Sequence, residues 1–118
     1  MSSIPGPEAE RMRRIADNEA LFRSVNERVE EVNEMFATLT RHFEIVCECG
    51  DIHCTDQISV EFPAYEAVRS DSALFIVVPG HEIPDVETVL ESHSDWALVE
   101  KAEPEAREIA EETDPRRG

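Results

Sequence analysis

Positive charge is what this sequence has least of: 11 Lys and Arg stand against 27 Asp and Glu, for a formal charge of −16. Nucleic-acid affinity rests on neutralising backbone phosphates with cations, so no DNA or RNA partner is expected. Long apolar runs are missing too. None approaches the roughly 18 residues that span a bilayer, and no membrane partner is expected. The opening Met1-Ser2-Ser3-Ile4-Pro5-Gly6-Pro7 lacks the charged-then-apolar order of a secretory signal, which places the chain in the cytoplasm. Of the four glycines none forms a phosphate-cradling loop ahead of a helix. His81-Glu82 runs on as Ile83-Pro84-Asp85, breaking the helical His-Glu-x-x-His pattern of zinc hydrolases. Ser92, His93, Ser94 and Asp95 are sequence neighbours, which rarely adopt triad geometry, and read as a polar loop. The expectation is a protein that is not an enzyme.

Cysteine is scarce, but what there is lies together. Cys47, Cys49 and Cys54 fall within eight residues. Their odd number argues against a closed disulfide framework, and Cys47 and Cys49 are too near each other to bridge without strain. Extended chain would put Cys47 and Cys49 on one side, Gly50 would allow a tight path after them, and Cys54 would return as the next strand begins. Three thiolates so placed read as ligands of a structural Zn2+, which needs a fourth donor from His42, His53, His81 or His93. His53 adjoins Cys54, and neighbours in extended chain point apart. His81 follows an apolar strand through the turn Pro79-Gly80 and is the choice, with His53 second. His42 and His93 read as surface residues. Three sulfurs and one imidazole would close the coordination sphere, leave no place for water, and give a site of net charge near −1. The rival readings are three buried free thiols and an iron–sulfur cluster. Glu48, Gly50 and Asp51 interrupt a core-like pattern, and the spacing does not match the common cluster runs.

At 118 residues the chain is one domain, with or without an arm. Residues 1–42 carry 6 basic and 8 acidic groups, 43–80 carry 1 and 7, and 81–118 carry 4 and 12. A nearly neutral segment thus precedes an acidic body. The expected fold class is α+β: a long N-terminal helix, then a small, mostly antiparallel sheet of about four strands with one or two short helices and a zinc knuckle. Residues 1–7 read as a flexible N-terminus, 8–40 as a long helix serving as an interaction arm, 41–101 as the zinc-stabilised domain and 102–118 as an acidic, frayed tail with helix between Glu105 and Glu111. In the helix Ile15, Phe22, Val25, Val29, Val32, Phe36 and Leu39 recur at steps of three and four, with Asn18 in the missing place, which is a heptad seam. Asn26, Asn33, Arg14 and Arg28 flank it and leave the partner open: either the stripe packs on the chain's own sheet and C-terminal segment, or its projecting half docks a second copy or another protein. Helix length outruns a body of this size, so one end is expected to project.

Phe43–Cys47 reads as the first strand. Ile58, Val60 and Phe62 alternate in the second, which Pro63 ends before a short helix over Ala64–Arg69. Leu74–Val78, apolar throughout, reads as the central strand, Pro84–Ser92 as a short helix with Val86, Val89 and Leu90 inward, and Trp96–Lys101 as the last strand.

Several stretches resemble a family of small, poorly characterised actinobacterial proteins. They are Asn18-Glu19-Ala20-Leu21-Phe22-Arg23 with Val25-Asn26-Glu27-Arg28, Cys47-Glu48-Cys49-Gly50-Asp51 with Cys54, Tyr65-Glu66-Ala67-Val68-Arg69, and Pro79-Gly80-His81-Glu82. The resemblance covers roughly residues 15–101. It implies Cys47, Cys49, Cys54 and His81 as one unit, gives His53 no counterpart, and implies no activity. The leading functional expectation is a zinc-stabilised adaptor or regulatory protein acting through its N-terminal helix. The alternative is a thiol-based redox or metal sensor using the three cysteines.

Overall fold

The computed structural model describes residues 7–34 and 42–116. Its elements are α1 (Pro7–Glu34), β1 (His42–Val46), β2 (Gln57–Glu61), α2 (Phe62–Arg69), β3 (Leu74–Val77), β4 (Glu87–Ser92), β5 (Ala97–Lys101) and α3 (Pro104–Glu112). This is an α+β fold with a long first helix. Its strands form two antiparallel sheets, β1-β2 and β3-β5-β4, where one sheet of about four was expected. Among the described residues no helix is long and apolar enough to cross a membrane.

Alternation works as the sequence implies in the first hairpin, where Phe43 pairs with Val60 and Ile45 with Ile58, all four buried. The chain then turns straight into α2, with Phe62 and Pro63 in its first turn, where a missing N–H costs nothing. Phe62 therefore belongs to the helix, and its ring stacks on Phe43 at 4.5 Å.

Strand β3 is apolar because Phe75, Ile76 and Val77 are all buried, yet it is not central. The middle position belongs to β5. The far edge of β3 is instead closed by the knuckle: Glu48 donates its N–H to the Ile76 carbonyl at 2.9 Å and its carboxylate accepts the Ile76 N–H at 3.0 Å. One residue thus joins the two sheets.

The helix expected over Pro84–Ser92 is a strand. Ahead of the strand residues 84–86 form only a turn, with the N–H groups of Val86 and Glu87 both reaching the Ile83 carbonyl. A register shift between Val89 and Glu91 then makes a bulge in β4, leaving Val89 and Leu90 side by side and exposed. That irregularity imitates helical spacing in the sequence.

The acidic C-terminal stretch is not a frayed tail. Glu103 caps α3 by accepting the Ala106 N–H at 2.7 Å, Pro104 opens it, and Ala106 and Ala110 are buried on its inner side. Beyond it Asp114 takes hydrogen bonds from Arg69 and Ser72, and Arg116 reaches Glu27, Glu30 and Glu66.

Helix α1 departs most from the heptad reading. Phe36 and Leu39 lie outside the described residues. Within them the helix is seated along the body from Ile15 to Glu30, but mostly with polar residues. Glu19, Arg23, Asn26, Glu27 and Glu30 are buried, while Leu21, Val25 and Val32 are exposed by 51%, 39% and 63%. Each of these residues has at least one partner across the fold, although Arg23 Nε and Glu30 Oε2 are buried without a hydrogen bond. Lys101 lies between Glu19 and Glu87 with the Phe75 ring 5.1 Å away, and Arg23 donates to the carbonyls of Ser72 and Ala110. Burial pushes the Glu19 carboxyl well above its usual range against the pull of Lys101.

Candidate metal centre

Antiparallel pairing carries the chain out of β1 into the knuckle, where Cys47 donates its N–H to the Asp56 carbonyl at 2.9 Å and extends the ladder by one step. Alternation now divides three consecutive residues. Cys47 and Cys49 turn to one side and Glu48 to the other, under α1. A tight turn closes between Asp51 and Cys54, whose N–H meets the Asp51 carbonyl at 3.0 Å. Gly50 matters here for space rather than for backbone torsion, since its φ is not positive and a Cβ would stand 2.5 Å from Ile15 Cγ2. The knuckle is pressed against α1 at that point.

The fourth side chain arrives from β3. His81 donates its N–H to the Val78 carbonyl at 2.9 Å, closing a turn with Pro79 and Gly80 in its middle positions, and Gly80 has φ 94°. That torsion strains any residue with a Cβ, which explains the glycine. The turn swings the imidazole back over the knuckle.

The ligand atoms of Cys47, Cys49, Cys54 and His81 all lie within 4.8 Å of one another. His81 Nδ1 is 3.6 Å from both Cys47 Sγ and Cys54 Sγ. A zinc ion with bonds of about 2.3 Å to sulfur and about 2.0–2.1 Å to nitrogen, at tetrahedral angles, puts sulfur and nitrogen about 3.5–3.6 Å apart. The spacing therefore suits one ion shared by all four. A polynuclear cluster would interpose its own irons and sulfides and needs wider spacing.

Burial works against the thiolate at all three sulfurs and leaves the Cys54 thiol raised, while neighbouring main-chain N–H groups oppose it. The amides that lower the thiols are those of Cys49 for Cys47, Asp51 for Cys49 and Asp56 for Cys54, each two residues further along. The Val78 N–H adds a second donor to Cys47 at 3.2 Å. Such donors spread the negative charge that three thiolates bring. The hydrogen bond from Cys47 holds the Cys49 thiol down to about 5, with the Asp51 amide and His81 assisting against burial. Cys47 moves the opposite way, through that same hydrogen bond and burial. On the outer side His81 Nε2 faces Asp56 Oδ2 at 3.6 Å, while Nδ1 is the ring nitrogen turned to the sulfurs.

The structure thus brings together the four residues singled out in the sequence and leaves the other histidines outside. His53 is exposed, and its backbone N–H bonds the Asp51 side chain. His42 lies near Glu61, and His93 pairs with Glu91 while stacking on Trp96 at 4.1 Å. Sequence reasoning took Glu48 as a break in a core-like pattern and Asn26 as a flank of the seam. Both are fully buried. Asn26 donates to the Val46 carbonyl at 2.9 Å and to Glu48 at 2.7 Å, and accepts the Val46 N–H at 2.8 Å. The signal for Glu48 was available, because alternation that aims Cys47 and Cys49 one way must aim Glu48 the other. No protein-family model, curated protein or solved structure matches the chain.

Proposed function

We propose that the protein is a cytoplasmic, non-catalytic interaction module whose knuckle is locked by one structural Zn2+ on Cys47, Cys49, Cys54 and His81, and whose α1 presents a docking face for a protein partner or for self-association. The observation that carries the metal assignment is the pair of 3.6 Å sulfur-to-nitrogen separations inside a four-donor cluster whose ligand atoms all lie within 4.8 Å of one another. Bound zinc would cross-link the β1–β2 hairpin to the end of β3, and with all four positions filled by protein it would hold no water for chemistry. The docking face is supported by Leu21, Val25 and Val32, exposed on the helix side opposite the body.

Metal analysis of protein purified without added metal is the test. One zinc per chain in a colourless preparation is expected, with intense charge-transfer bands after exchange for Co2+. Visible absorption and iron in the native preparation would overturn the zinc assignment, and no metal at all would overturn the site. For the docking face, Val25→Glu and Val32→Glu should abolish association while leaving far-UV circular dichroism unchanged. Unaltered association of that double variant removes the adaptor reading. A sensor reading draws on Cys54, which is half-buried where Cys47 and Cys49 are buried. Zinc release by mild peroxide would favour it.

A further inference from the structure

Nine Lys and Arg residues fall among the described positions, and seven of them are engaged. Arg11 pairs with Asp85, Arg13 with Glu105, Arg69 with Glu27 and Asp114, Lys101 with Glu19 and Glu87, Arg107 with Glu100, and Arg116 with Glu27, Glu30 and Glu66. Arg23 is taken up by carbonyls. Arg14 and Arg28 alone have no such partner among the described residues, and both are exposed on α1. In a chain with so large an acidic excess, two idle cations on one helix face call for an explanation.

Their position supplies one. At 100° per residue Arg14, Leu21, Val25, Arg28 and Val32 form one narrow row on the side of α1 that faces away from the body. Asp17 and Glu31, exposed and likewise without a partner among the described residues, flank the row on one side. An axis through the level of residue 23 sets Leu21 against Val25 of a second antiparallel helix. The same axis brings Arg28 beside Asp17 of that helix and Arg14 beside Glu31, and symmetry makes every contact twice. A parallel arrangement would set Arg14 against Arg14 and Arg28 against Arg28.

We infer that the occupant of the α1 docking face is a second copy of this chain, packed antiparallel through Leu21, Val25 and Val32 and registered by Arg28–Asp17 and Arg14–Glu31 pairs. The inference rests on the docking reading above and specifies its partner. An apolar row alone would leave the register free, whereas the charges select one direction and one offset. Because the row lies opposite the buried face, two acidic bodies end up on the outer sides of the helix pair.

Light scattering on the zinc-loaded full chain should give twice the 13.4 kDa mass at high concentration, with dissociation on dilution. Arg28→Asp and Asp17→Arg should each weaken self-association by about tenfold, since each juxtaposes like charges at both ends of the pair. Mixing the two single variants should restore it, because unlike charges then meet at both ends. A wild-type monomer at every concentration overturns the proposal. So does a dimer indifferent to both charge reversals. A photoreactive phenylalanine analogue at position 25 separates this failure from that of the docking reading itself. Cross-linking to a second copy near residue 21 is the expected result. Cross-linking only to a different protein overturns the second copy and keeps the docking face, and no cross-link removes both.

Discussion

Replacing Asn26 by Ala should unseat α1 from the knuckle. The carboxamide makes three hydrogen bonds at 2.7–2.9 Å, two to the main chain of Val46 and one to the Glu48 carboxylate, in a place with no exposure. Neutral bonds contribute about 1 kcal/mol each and a bond to a charged group about 1.5–3 kcal/mol, so the direct loss is about 4 kcal/mol. Glu48 keeps its Ile76 N–H but loses its other donor, and burial already raises its carboxyl above the usual range. Single domains are stable by about 5–15 kcal/mol, so most of the margin is at risk. Urea unfolding of zinc-loaded protein measures it, with the slope on denaturant as a check that the end states are unchanged. The same samples should lose zinc faster to a chelator. A shift below about 1 kcal/mol with unchanged zinc release would refute the view that Asn26 and Glu48 fasten the helix to the metal knuckle. Asn26→Asp should be no milder at neutral pH, since it sets a second carboxylate against Glu48.

Cys49→Ser should weaken both zinc retention and folding, because a site absent from the unfolded chain contributes its binding energy to stability; His93→Ala, on an exposed ring, should shift the urea midpoint little. Gly50→Ala should cost about 1–3 kcal/mol by calorimetry, since its Cβ would press on Ile15 within the α1 contact and the nearby Ile15 backbone cannot yield as a side-chain tip could. Glu30 titrates near 8 in the folded protein, raised by burial and by Glu66, so folding takes up a proton between its ordinary range and pH 8. That contribution is fully present below the ordinary carboxyl range and is lost by about pH 8, and Glu30→Gln should flatten the fall of stability across that window followed by thermal melts.

The metal centre was legible because three sulfurs in eight residues leave few alternatives and because Pro79-Gly80 specifies a turn that aims His81. The first hairpin was legible through strict alternation. What misled was apolar spacing taken without its surroundings. Val86, Val89 and Leu90 look helical only because a bulge interrupts β4. The uniform apolarity of β3 reports burial on both faces, which an edge strand capped by Glu48 also has. The heptad row of α1 is present, but Arg23, Asn26 and Glu27 lie inward because Ala110, Val46 and Arg69 await them across gaps of 87, 20 and 42 residues. Such long-range pairing leaves no local trace.

Because Cys47 and Cys49 look toward Cys54 and His81 while Glu48 looks toward Asn26, this tripeptide is a two-sided rivet between the four-donor cluster and the helix. Loading a cation there would tighten the seat of α1, and reciprocity would then require a partner recognising only the seated helix to tighten the cation by the same factor. Metal availability and quaternary state would then be read through a single joint.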